Sequence, residues 1–237
     1  MAHEAPTDRR TPEFWLHQAG VPRRFWTTTF DDYDVSIGSE LALEAARRAD
    51  RRFALDDHEG VGLTLVGPPG RGKTMLMSTL LRRHLLRHPA ANVYDYRPPV
   101  QFVTLATYQR VLLDPMELER LAKYAGDQEN AELSAQWWDN RRLRQWIYEV
   151  PVLGIDDAGK ERRSKTQHIE SEFDMLVRER FDAGKPTIIT ANLSLKEFLE
   201  KYHESMQSFL QESSELVALP GTDVRVLPRQ PRKRARA

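Results

Sequence analysis

Apolar runs and helix-periodic segments alternate along this chain. Val61 to Val66, Gln101 to Leu105, Val150 to Ile155 and Thr187 to Thr190 are short, apolar or β-branched stretches that read as buried strands. Pro151 is compatible with the third of these because it falls at the start. Short runs at 216–219 and 224–227, either side of Pro220 and Gly221, read as further strands around a turn. Between the strands the spacing is helical. Ser39 is placed to cap a helix over roughly 40–54, with Leu41, Ala45, Ala46 and Ala49 on its apolar face. Helices are also predicted over Met75 to Leu85, Thr107 to Leu113, about 166–182 (Ile169, Phe173, Leu176 and Val177 inward) and 195–203, the last capped by Ser194. The stretch 114–149 has helical composition, with Pro115 suited to a first turn and Gly126-Asp127 a break between two helices. Strand and helix in alternation from 61 to 190 predict βαβ units and a mostly parallel sheet.

The junction between the first strand and its helix carries chemistry. Gly67, Pro68, Pro69, Gly70, Arg71, Gly72, Lys73 and Thr74 match the pattern G-x-x-x-x-G-K-[ST], with a strand before and a helix after. Glycines let backbone N–H groups close around phosphate oxygens, and the helix directs the positive end of its dipole at the same anion. In such a loop Lys73 reaches the β- and γ-phosphates and the Thr74 hydroxyl ligates Mg²⁺. The pattern therefore predicts ATP and Mg²⁺ as cofactors.

Two further pieces fall at strand ends. The run from Val150 closes in Asp156 and Asp157, as an ATPase of this kind requires: Asp156 to hold the metal, Asp157 to orient or deprotonate the attacking water. A glutamate is commoner at the second position, so Asp157 is one methylene short, which points to slow hydrolysis. Asn192 follows the strand ending at Thr190 and fits a sensor of γ-phosphate or water. Ligands of parallel sheets bind at the carboxyl ends of the strands, so one end of one sheet could gather all three pieces.

Composition narrows the class. The 237 residues suffice for a buried core, and with no cysteine the chain has no disulfide framework and no cysteine-ligated metal. No apolar run approaches a membrane span, and the N-terminus lacks a signal-peptide core, so a cytoplasmic location is expected. Formal charge is zero, from 35 Lys and Arg against 35 acids, yet five of the basic residues lie in the last nine. The chain thus divides into an arm over 1–35, loose to about residue 12 and aromatic from Phe14, a core over 36–228 and a basic tail over 229–237. Phe14, Trp15, Leu16, Phe25, Trp26, Phe30 and Tyr33 in the arm must bury against something, either the core alone or a nucleotide base as well. Trp137, Trp138 and Trp146, with Arg141, Arg142 and Arg144, form either a core stripe or a base-stacking platform.

With these elements in order the chain resembles the AAA+ ATPases of the DnaC-type helicase loaders and their IstB relatives. The matching stretches are Gly20 to Phe25 and Thr29 to Asp31, Gly67 to Thr74, Ile155 to Arg163, and Gly184 to Leu193. The resemblance implies an α/β P-loop NTPase of the AAA+ (ASCE) type, its mostly parallel sheet flanked by helices. It further implies ATP and Mg²⁺, contact with single-stranded DNA, ATP-dependent homo-oligomers, and delivery of a replicative ring helicase. IstB relatives instead assist a transposase on duplex DNA, and a non-hydrolysing ATP-binding interaction module is a third reading. Lys160, Arg162, Arg163 and Lys165 after the acidic strand, with Arg232, Lys233 and Arg234 in the tail, are the expected DNA contacts.

Three departures qualify the resemblance. Only about 20 residues precede the matching region, without the separate helicase-binding domain of longer loaders, so 114–149 and the arm are the places for a partner. Only 45 residues follow Asn192, which predicts no full helical lid. No Lys or Arg occurs from Tyr202 to Val224, where the family places a trans-acting arginine. Arg180, which matches a recurrent family arginine, and the nearby Arg178 are the expected substitutes.

Overall fold

The computed structural model describes residues 11–55, 59–88, 97–112, 127–159, 166–202 and 204–220. Strands β1 (Gly62–Val66), β2 (Val100–Thr104), β3 (Val152–Ala158), β4 (Thr187–Ala191) and β5 (Ser214–Ala218) form one sheet ordered β2-β3-β4-β1-β5. Every neighbouring pair is parallel, so each connection must cross over, and helices fill the crossovers. These are α2 (Glu40–Ala54) leading into β1, α3 (Lys73–Arg87), α4 (105–112), α5 (Asp127–Glu149), α6 (Thr166–Asp182), α7 (Leu195–Lys201) and α8 (Glu204–Ser213), with α1 (Pro12–Gln18) at the start.

Both faces of the sheet are buried, which is why its strands read as continuous apolar runs. Alternate residues serve two cores. Leu63, Leu65, Val100, Phe102, Val152 and Ile188 pack with α2, α3 and the arm. Val66, Val103, Leu153, Ile155 and Ile189 pack with α4 to α8 through Tyr108, Ile147, Phe173, Leu176, Phe198 and Phe209. On α2 the Ser39 hydroxyl accepts from the Ala42 N–H as the sequence predicts. Its inward stripe is Ala42, Ala45, Ala46, Ala49 and Phe53; Leu41 lies outside that stripe and is 66% exposed, contrary to the expected apolar face.

The arm is part of the first core. Leu16, Trp26, Phe30 and Tyr33 are buried there, and α1 and the short 3-10 turns at Arg23–Phe25 and Phe30–Asp32 carry them against α3. The arm also borders the sheet: Ala19 O accepts from the Phe102 N–H of edge strand β2 at 2.7 Å. Helix α8 was not foreseen in the sequence. It presents Met206, Phe209 and Leu210 to the second core. Among the described residues no helix is long and apolar enough to cross a membrane. The predicted strand at 224–227, the basic tail and the first half of 114–149 (to 126) lie outside the described residues.

Candidate nucleotide site

The strand registers align the carboxyl ends: Val66 lies beside Ala191 and Ala218, and Thr104 beside Asp156. The loop from Gly67 to Gly72 leaves β1 at that end and feeds α3. Gly72 sits at the N-cap in a left-handed conformation (φ 77°), and a Cβ there would lie 2.6 Å from the Tyr33 ring. No side chain caps α3 and its first turn carries no acid, so the loop end of this helix is free to face an anion. Lys73 is buried and its ammonium donates to the carbonyls of Gly67 and Pro68, both at 2.7 Å. Tyr33 brings the arm onto the loop: its hydroxyl donates to Arg71 O at 3.1 Å and accepts from Ser39 N–H, while the Arg71 guanidinium donates to Ile37 O.

Across the loop stands Asp156. Its Oδ1 accepts from the Thr74 hydroxyl at 2.9 Å and from the Thr190 hydroxyl. Burial raises the Asp156 pKa above the usual carboxylate value, and these two donors work against the rise. Asp157 has a left-handed backbone (φ 60°); its N–H donates to Thr190 Oγ1 at 3.2 Å and its carboxylate accepts from the Asn192 amide. Lys73, Thr74, Asp156, Asp157 and Asn192 therefore lie at one end of the sheet; Thr74 is bonded to Asp156 and Asn192 to Asp157, while Lys73 is bonded to the loop carbonyls. One hydroxyl and one carboxylate in contact suit a Mg²⁺ ion that takes its other ligands from phosphates and water. Among the described residues no cluster of three or more His, Asp or Glu offers a self-sufficient metal cage.

Arg180 is elsewhere. It is 1% exposed, and its guanidinium donates to the carbonyls of Ile147 (2.9 Å), Tyr148 (3.2 Å), Val150 (2.8 Å), Pro151 (3.4 Å) and Pro186 (3.0 Å) and to the Thr187 hydroxyl (3.0 Å). Burial pushes its pKa down to about 9, which leaves it charged at neutral pH. A guanidinium enclosed by its own backbone cannot reach a neighbouring subunit, so the expectation of a trans-acting Arg180 is corrected. Arg178 lies at the surface, bound to Asp174 at 2.8 Å and to Ser205 Oγ at 3.1 Å, and stacked over the Phe209 ring at 4.3 Å. Lys160, Arg162, Arg163, Lys165, Arg232, Lys233 and Arg234 lie outside the described residues.

Two features escaped the sequence reading. Thr190 touches both acids, a role that its place two residues before Asn192, on the same side of β4, could have suggested. Tyr33 and Arg71 clasp the arm to the loop, and nothing local in the sequence announces that. Of the tryptophans, Trp146 packs against the second core, whereas Trp138 is 51% exposed, edge-on to Trp137, with Arg141 over both rings.

No protein-family model matches the chain, and no curated protein matches its sequence. Solved structures do match. The DnaC helicase loader is 24% identical with a TM-score of 0.55, over 84% of this chain and 100% of that one. Domain III of the Thermotoga maritima replication initiation protein DnaA is 18% identical with a TM-score of 0.59, over 86% and 70%. The initiator DnaA bound to AMPPCP and single-stranded DNA is 17% identical with a TM-score of 0.52, over 84% of this chain and 50% of that one. The fold, a five-stranded parallel sheet flanked by helices with a glycine-rich loop after β1, is shared with these DnaC and DnaA structures.

Proposed function

We propose that the chain is an ATP-dependent helicase loader that binds ATP, Mg²⁺ and single-stranded DNA and hydrolyses ATP slowly. One observation carries the nucleotide part: the Thr74 hydroxyl bonded to Asp156 across a loop that also holds Lys73. In this reading Lys73 and the loop N–H groups bind phosphates, while Thr74 and Asp156 hold Mg²⁺, which when bound neutralises charge developing on the transferred phosphoryl group. Asp157, steadied by Asn192, orients water and accepts its proton. Its short side chain supports slow turnover. The loader part is supported by the likeness to DnaC along that protein's whole matched length.

The DNA contacts belong to Lys160, Arg162, Arg163, Lys165 and the tail residues Arg232, Lys233 and Arg234. Arg178 is the candidate to reach a neighbouring nucleotide in an ATP-dependent homo-oligomer in the cytoplasm. The enclosure of Arg180 favours a second reading, an interaction module that binds ATP without turnover, if Arg178 proves idle.

A tagged chain incubated with Mg-ATP should retain a hexameric helicase on a pull-down, and Lys73→Ala should lose ATP affinity and helicase together. Retention of a transposase, or ATP binding with no partner, would replace the loader reading. Absence of Mg-dependent ATP affinity in the folded protein would remove the nucleotide reading altogether.

A further inference from the structure

Two successive residues of a regular strand point to opposite faces of the sheet, so a strand ending in two acids would ordinarily aim only one of them at a given site. Strand β3 avoids this. Ile155 pairs with Ile189 and Ala158 with Ala191, so Asp156 and Asp157 together stand opposite the single residue Thr190. Two residues facing one is a β-bulge, a device that re-aims side chains. Both acids consequently find partners at the end of β4: Asp156 Oδ1 on Thr190 Oγ1 of the strand, and Asp157 Oδ1 on the amide of Asn192 just beyond it.

We propose that Thr190 is the positioning residue of this acid pair, its one hydroxyl setting the metal-side and water-side carboxylates together. A hydroxyl carries one proton and can accept as well as donate. Thr190 Oγ1 accepts from the Asp157 N–H, so its own proton is directed to Asp156 Oδ1. The accepted bond also holds Asp157 in its left-handed backbone turn (φ 60°), a conformation that a residue other than glycine adopts only when its surroundings impose it. Asp156 in turn accepts from Thr74 at the start of α3. A chain of five side chains (Thr74, Asp156, Thr190, Asp157 and Asn192) and one N–H thus runs from the start of α3 through Thr190 to Asn192, with Thr190 Oγ1 the atom common to both acids. Its methyl-bearing side chain is buried, 1% exposed, in the β4 row, so the hydroxyl has little freedom to rotate away. Displacing either acid must then disturb the other.

This inference rests on the nucleotide reading for its catalytic meaning and on the β3–β4 geometry for its substance, and the two can be tested apart. Thr190→Val keeps the shape and removes both bonds; Thr190→Ser keeps both bonds. In the ligand-free protein the Asn192 side-chain amide resonance, recorded by ¹H–¹⁵N correlation, should move in Thr190→Val and stay near the native position in Thr190→Ser. With nucleotide present, Thr190→Val should raise the Mn²⁺ concentration for half-saturation and lower kcat, each by ~10–100-fold, the usual effect of losing a residue that orients a metal ligand. The KM for ATP should stay within about twofold, because phosphate binding belongs to Lys73 and the loop. Thr190→Ser should restore most of the loss. Should Thr190→Val prove insoluble, Thr190→Ala carries the same expectations. The proposal is overturned if the hydroxyl-free variants keep the native Asn192 resonance, or if kcat and Mn²⁺ affinity are unchanged. It is overturned too if serine is as impaired as valine. A wild-type chain without affinity for Mg-ATP would sink the nucleotide reading alone, since the Asn192 resonance would still decide the positioning role.

Discussion

Arg180 and Arg178 leave the same turn of α6 and reach different surroundings. Arg180 enters a nest of backbone carbonyls at the base of β3 and β4. Arg178 crosses the surface to Asp174 and Ser205 with its side chain 34% exposed. The first ties α5, α6 and β4 together at the cost of being available to nothing else. The second gains modest stability and keeps a cation where a second molecule could meet it. An arginine that serves the fold and one that can serve a partner are thus told apart by what encloses the guanidinium.

Substitutions can break this contrast. Arg180→Ala strands several buried carbonyls, each costing about 1–3 kcal/mol, so a total of at least about 3 kcal/mol and a fall in Tm of roughly 6–12 °C are expected in a thermal melt. A stable Arg180→Ala protein with specifically lost turnover would reverse the assignment of the two residues. Arg178→Ala should shift Tm by only about 2–3 °C. If Arg178 acts across subunits, its loss should lower turnover at least about tenfold, out of the ~10³–10⁵ such an arginine can supply, with ATP affinity unchanged. Mixing Arg178→Ala chains with Asp157→Asn chains should then restore part of the rate, because each supplies what the other lacks. Failure to complement would leave Arg178 a surface residue. Ser205→Ala should have the smallest effect, about 0.5–1 kcal/mol in stability and a rate change below about threefold, since it removes one hydrogen bond from a still charged side chain.

Much of this was legible from pattern. The Ser39 cap, the 166–182 helix and the strand at 187–190 are where spacing and capping residues locate them, because each signal is local. The positions of the glycine-rich loop and of the two acids at strand ends were legible because each follows directly on an apolar run. Arg180 was misread although the information was present: Phe173, Leu176, Val177 and Arg180 share the inward stripe at helical spacing, while Arg178 falls off it. A charged residue on an apolar stripe asks for buried partners, and the backbone carbonyls that supply them belong to segments distant in sequence. Helix α8 was missed for a different reason. Met206, Phe209 and Leu210 have helical spacing, but the helix spans only ten residues, too short a period to stand out from its polar neighbours. The bulge opposite Thr190 could not be foreseen, since register between strands is set by packing across the whole sheet.

The bond from Phe102 N–H to Ala19 O has a practical corollary. It covers one N–H of the β2 edge with the arm, and Gly20 permits the approach, since a Cβ there would lie 2.8 Å from Phe102 O. A shortened version starting after residue 21, which keeps Lys73, Thr74, Asp156, Asp157 and Asn192, would leave the Phe102 N–H of that edge without its partner. Such a protein should self-associate more readily in light scattering than one that keeps the arm, because an exposed strand edge is a template for pairing.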